Sequence, residues 1–154
     1  MTFSFGHSEH ERVEIEVLGY ERSPVGEYFD DNWLTVKATI QAGGFRGKIN
    51  AAILTSDLVG FLPKLRALYE KLEGVAEFTT MERQIFLSLT GDGLGHVELN
   101  AEIMDKAGVG NCLSFTLSLD QTMLLTSINE LEKIVAAFPV RQQAPGLSAA
   151  NRLP

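Results

Sequence analysis

Cysteine, histidine and long apolar runs are scarce in this sequence. One cysteine, Cys112, occurs among 154 residues, so the chain can form neither an internal disulfide nor a cysteine-rich zinc site. No apolar run approaches the ~20 residues that a membrane-spanning helix requires. The N-terminus lacks a basic start followed by an apolar stretch, so we expect no secretory signal and place the protein in the cytoplasm.

Basic residues are also few relative to acidic ones. Lys and Arg number 13 against 20 Asp and Glu, which gives a net charge of −7. Residues 139–154 contain Arg141 and Arg152 but no acid, so the rest of the chain is two units more negative. Because nucleic-acid binding depends on cations that neutralise phosphates, we expect no direct contact with nucleic acid or with an anionic membrane. A basic protein partner would be attracted.

No catalytic, cofactor-binding or metal-binding set of residues is recognisable. His7, His10 and Glu11 have a spacing that a metal could use, but they lie in a polar stretch before the first predicted strand and lack supporting residues. His96 has no serine or cysteine in a nucleophile setting. The glycine-rich turn at 91–95 joins two strands, so it offers no helix N-terminus to a phosphate. We expect a protein that is not an enzyme and needs no cofactor.

One block of sequence occurs twice. An alternating strand, a glycine turn, a second strand and an acid-capped helix run from Leu34 to the helix that Asp57 opens. The same series runs from Val97 to the helix that Asp120 opens. The repetition predicts an internal ββα repeat.

Hydrophobic periodicity predicts seven strands and two amphipathic helices. Alternation with a period of two indicates the strands, and apolar spacings of three and four indicate the helices. The predicted strands cover 12–18, 33–41, 45–54, 75–78, 84–90, 97–103 and 113–119, and the helices cover 57–72 and 121–138. The facing of strand 45–54 stays open because Ala51 and Ala52 blur its alternation. Pro63 either starts the main helix nearby or kinks it.

These elements predict one α+β domain over residues 1–138 and a mobile C-terminal tail over 139–154. Each helix has an apolar stripe to bury, and the simplest arrangement is a single antiparallel sheet of about seven strands with both helices packed on one face. The other sheet face then carries Glu14, Glu16, Lys37, Glu98, Glu102, Ser114 and Thr116. A wet sheet face is common in antiparallel sheets, and a partner-binding face is the alternative.

Aromatic and acidic side chains are mixed in the predicted loop at 19–32. Such mixtures are frequent at interface hot spots, although a loop folded over the sheet edge with its acids in solvent would look the same. The candidate partner-binding residues are Glu27, Tyr28, Asp30 and Asp31 in this loop, Trp33 directly after it, and Glu14, Glu16, Glu98 and Glu102 on the sheet.

Six short segments occur in an order that a known family shares. They are Asp-Asn-Trp-Leu-Thr-Val at 31–36, Gly-Phe-Arg-Gly at 44–47, 54–61, 68–76, Gly-Leu-Gly-His-Val at 93–97 and Leu-Asp-Gln-Thr at 119–122. Over about residues 31–135 the chain resembles the WapI family of immunity proteins. The resemblance implies a bacterial protein, without enzymatic activity, that neutralises the toxic C-terminal domain of a contact-dependent polymorphic toxin. In the namesake system that toxin is a tRNA-cleaving nuclease.

Two further classes of function remain open. The chain would also suit a structural or interaction module that associates with itself, for example as a homodimer through the sheet face or edge. An enzyme or ligand-binding protein would need polar groups that converge between sheet and helices, and the apolar strand faces offer none.

An acidic inhibitor is physically coherent, because a nuclease that binds RNA presents Lys and Arg. We therefore expect a basic toxin domain as the partner.

Overall fold

The chain contains two successive structural units within residues 1–142. Each unit consists of four antiparallel strands followed by one helix. Residues 1–142 are those that the computed structural model describes, without the side chains of His7 and Ser8. The first unit consists of β1 (Thr2–Ser8), β2 (Glu11–Tyr20), β3 (Trp33–Ala42), β4 (Phe45–Leu54) and α1 (Thr55–Lys71). The second consists of β5 (Glu73–Thr79), β6 (Ile85–Asp92), β7 (His96–Met104), β8 (Cys112–Asp120) and α2 (Gln121–Ala137).

The prediction of about seven strands in a single sheet is wrong. The eight strands within residues 1–142 form two separate four-stranded sheets, each with its strands in sequence order. We call β1–β4 sheet 1 and β5–β8 sheet 2. The strand missing from the prediction is β1, which pairs with β2 from Thr2 opposite Glu16 to Phe5 opposite Val13. The internal repeat is therefore larger than the predicted ββα block.

The two acids that recur in the repeat have different structural roles. Asp120 is the N-cap of α2, and its side chain accepts hydrogen bonds from the N–H groups of Thr122 and Met123. Asp57 lies inside the first turn of α1 and accepts a hydrogen bond from the N–H of Leu54 instead. Because α1 begins earlier relative to its repeat, the same sequence position caps one helix and lies within the other.

The helix α1 runs without interruption through Pro63. The alternative in which a separate turn precedes a helix that begins near that proline is therefore wrong. The facing of β4 is also settled, because Ile53 is buried in the core and Ile49 and Ala51 pack against it from the same face. No helix within residues 1–142 is long and apolar enough to cross a membrane.

One hydrophobic core lies between the two sheets and the two helices. It contains the inward residues of both sheets and the apolar stripes of α1 and α2. Phe3 of sheet 1 and Phe78 of sheet 2 meet edge to face with ring centroids 6.2 Å apart. The helices touch each other, and Arg66 pairs with Glu132 at 2.6 Å. Since each sheet turns one face to this core, the two outer faces lie on different sides of the molecule.

Candidate functional site

The outer face of sheet 2 is acidic. Alternation along β7 points Glu98, Asn100 and Glu102 outward, while Leu99 and Ala101 point to the core. The outward positions of the four strands hold no Lys or Arg. Their acids are Glu73, Glu77, Asp92, Glu98, Glu102 and Asp120. We call this surface the acidic face.

Hydroxyl and amide groups order the acidic face between its glutamates. Asn100 donates a hydrogen bond to Glu98 at 2.8 Å and accepts one from Thr116 at 2.8 Å. Arg83 reaches the face from the turn before β6, where it contacts Glu102 at 3.3 Å and stacks over the ring of Phe86 at 4.0 Å. Among the described residues, Glu98 forms no ion pair, so a cation of a partner could bind its carboxylate.

The outer face of sheet 1 carries the opposite charge balance. Glu14 and Glu16 point outward from β2, and Glu16 lies opposite Lys37 in the register. Arg12 binds Glu14 at 2.8 Å. The cations at outward positions of the strands are Arg12, Lys37, Arg46 and Lys48. The prediction placed the glutamates of β2 and those of β7 on one acidic face, and that placement is wrong because they lie on different sheets.

Asp31 lies inside the loop between β2 and β3 rather than on its surface. Its side chain is 2% exposed. It accepts hydrogen bonds from the N–H groups of Val25, Gly26 and Glu27 and from Nε of Arg22. Burial alone would raise the pKa of this carboxyl, but the backbone N–H groups and Arg22 outweigh it and hold the pKa below its usual value. Asp31 therefore fixes the loop and is not accessible to a partner.

Other predicted residues of this loop do face the solvent. The side chains of Glu27 and Asp30 are 61% and 59% exposed, and Arg22 contacts both, at 2.9 and 3.5 Å. Tyr28 is half-buried and meets Phe29 edge to face, with ring centroids 5.3 Å apart. Phe29 itself is 66% exposed.

Trp33 begins β3 and is half-buried. It lies opposite Leu54 in the register, at the point where β4 passes into α1.

Phe29 and Val25 are exposed apolar residues of the loop that were not among the predicted partner-binding residues. Because a loop has no hydrophobic period, the sequence does not indicate which of its apolar side chains are buried.

A short segment after α2 returns to this loop. Arg141 pairs its backbone with the side-chain amide of Asn32, donating at 2.7 Å and accepting at 2.9 Å. Its guanidinium stacks over the ring of Tyr20 at 3.4 Å and donates to the carbonyl oxygens of Arg22 and Asp31. We call residues 139–141 the C-terminal strap. The tail predicted for 139–154 otherwise stays a prediction, since 143–154 lie outside the described residues.

The residues considered for chemistry are dispersed in the structure. His96 pairs with Asp92 at 2.8 Å across the turn between β6 and β7. Cys112 is exposed at the start of β8. In the part of the chain that the structure describes, no group of three or more His, Cys, Asp or Glu residues is arranged to hold a metal ion.

Comparisons with known proteins give one family and a shared fold. The model of the Immunity protein WapI-like family matches residues 4–139. No curated protein matches the chain. A solved structure of the plant transcriptional regulator PBF-2 is similar at 10% identity and a TM-score of 0.50, covering 90% of this chain and 81% of that one. Structures of MRP1/MRP2 from a trypanosome align at 13% identity and a TM-score of 0.45, covering 89% and 83%. The likeness to PBF-2 concerns the fold alone.

Proposed function

We propose that this chain, which belongs to the Immunity protein WapI-like family, binds and neutralises the toxic C-terminal domain of a contact-dependent polymorphic toxin. The observation that carries the proposal is the family match over 4–139, which covers both strand-and-helix units. An immunity protein of this kind acts by binding its toxin and is not an enzyme. We place it in the cytoplasm of the bacterium that makes the toxin.

The chemistry proposed for the toxin is a basic, RNA-gripping surface. A nuclease that binds RNA presents Lys and Arg to the phosphates, and an inhibitor can occupy those side chains with carboxylates. The net charge of −7 and the acidic face suit that contact. Long-range attraction between the two proteins would also accelerate their encounter.

We assign the contact to the acidic face and to the loop between β2 and β3. The acidic face contributes Glu98 and Glu102. The loop contributes Glu27, Tyr28 and Asp30, which are accessible to a partner in whole or in part. The outer face of sheet 1 is excluded from the proposal, because its cations outnumber its two glutamates and would repel a basic partner.

Matched charge reversals on the two sheets test this assignment. We expect Glu98→Lys with Glu102→Lys to weaken binding of the neighbouring toxin domain by about tenfold or more, because a repulsive charge replaces each carboxylate. The control is Glu14→Lys with Glu16→Lys, an equal change of charge on sheet 1, which should alter affinity by about threefold at most. Calorimetric titration gives both values.

Three outcomes would contradict parts of the proposal. Equal losses from the two double reversals would mean that net charge, and not the acidic face, governs binding. A larger loss from the sheet 1 reversal would move the contact to that sheet. A wild-type protein that forms a dimer in dilute solution and shows no affinity for the toxin domain would instead favour the self-associating module.

A further inference from the structure

We propose that the loop segment at 25–30 presents Phe29 as a preformed aromatic anchor, which the toxin domain accepts in an apolar pocket rimmed by Lys and Arg. The inference rests on the proposed function, because the partner is the same toxin domain. It goes further by naming the residue that enters the partner and the chemistry of the pocket that receives it.

The first observation is that a large apolar side chain is held in solvent. Phe29 is 66% exposed, and Val25 in the same loop is also exposed. The ring of Tyr28 supports Phe29 edge to face, which fixes its orientation from one side. Aromatic side chains of this kind supply much of the binding energy when a partner buries them.

The second observation is that the loop around Phe29 is held on both sides. On its N-terminal side, the buried carboxylate of Asp31 gathers three consecutive backbone N–H groups. On its C-terminal side, Asn32 donates to the carbonyl of Tyr28 at 2.6 Å and accepts from the hydroxyl of Thr55 at the start of α1. A loop that is ordered before binding loses less conformational entropy when it binds.

Charge around the anchor indicates the character of the receiving pocket. Glu27 and Asp30 flank the aromatic pair in sequence and are largely exposed. Arg22 neutralises part of their charge from below, where it also binds Asp31. An apolar centre with carboxylates beside it matches a pocket that has an apolar floor and cations at its rim.

The C-terminal strap gives Arg141 a positioning role. Its backbone and guanidinium connect Asn32, Tyr20 and the carbonyls of Arg22 and Asp31. All of these groups lie at the base of the loop. Arg141 is therefore expected to act on the partner through the loop, by keeping Phe29 in its presented orientation.

Two phenylalanines of nearly equal exposure provide the test. Phe29→Ala is compared with Phe45→Ala, because Phe45 is 68% exposed at the start of β4. The probe is the C-terminal domain of any large secreted toxin encoded immediately upstream, titrated with the full chain. We expect Phe29→Ala to weaken binding by about tenfold or more and Phe45→Ala by about twofold at most.

The outcomes separate this inference from the proposed function. If the wild type binds the toxin domain and the two alanine variants bind equally well, the anchor is refuted while toxin binding stands. If the wild type does not bind, the proposed function fails, and the anchor fails with it.

A second variant tests the positioning role of Arg141 while keeping the side chain of Phe29. Arg141→Ala leaves the sequence of the loop unchanged but should loosen it, and should therefore slow association with the toxin domain by about threefold or more. In the free protein it should also speed hydrogen exchange at the amides of Val25, Gly26 and Glu27. Unchanged exchange and an unchanged association rate would remove Arg141 from the account.

Discussion

Asp31 shows how one residue can organise a loop from within. Its carboxylate is buried, yet it is ionised because the surrounding N–H groups and Arg22 stabilise the charge. The charge of Asp31 predicted a place on the binding surface. Whether the Asp31 side chain is buried depends on the path of the loop, and the sequence of a loop without hydrophobic periodicity does not indicate that path.

The pH dependence of stability tests the role of Asp31. Its folded-state pKa lies below the ordinary value of 3.8, so its ionised form stabilises the fold. This contribution is fully present above that ordinary value and is lost as the pH falls through the lower, folded-state pKa. We expect Asp31→Asn to lower the melting temperature by roughly 5–10 °C near neutral pH, and the difference from wild type to shrink under acidic conditions.

The control for this experiment is Asp30→Asn in the neighbouring, exposed position. It removes the same charge from the same loop but no backbone contact, so its melting temperature should stay within about 2 °C of wild type. Thermal unfolding followed by circular dichroism at several pH values measures both variants. A difference for Asp31→Asn that does not change with pH would contradict the role assigned to its charge.

At the scale of the element, the helix caps distinguish two positions that look alike in sequence. Asp120 caps α2 through two backbone N–H groups, so Asp120→Ala should cost about 1 kcal/mol of unfolding free energy. Asp120→Asn keeps an acceptor at the cap and should cost only a few tenths. Urea unfolding measures the two values. Equal losses from both substitutions would mean that charge, not the cap hydrogen bonds, is what matters.

Elements with a strong period were predicted well, and β4 was also predicted at its observed ends although its alternation is blurred. β3 and β7 were predicted within one residue of their observed ends, and α2 began at the predicted Gln121. β1 was missed because its alternation is short and includes a glycine. Division into two sheets could not be read from the pattern, because pairing between strands depends on contacts between distant residues. The loop at 19–32 was predicted, but its contact with the C-terminal strap was not, because Asn32 and Arg141 are joined only in the fold.

At the scale of the whole molecule, the two sheets divide the surface charge. Sheet 2 turns glutamates outward, while the outer face of sheet 1 carries more cations than acids. The net charge of the chain therefore underestimates how acidic one side is. A basic partner is attracted to the acidic face of sheet 2. The cations on the outer face of sheet 1 repel such a partner.

The most direct test of the account is neutralisation of the toxin. The C-terminal domain of any large secreted toxin encoded immediately upstream is titrated with the full chain, and both binding and toxic activity are recorded at low and high ionic strength. We predict tight binding that abolishes activity at about one inhibitor per toxin, with affinity about tenfold weaker at high salt. Undiminished toxic activity in the presence of excess protein would contradict it.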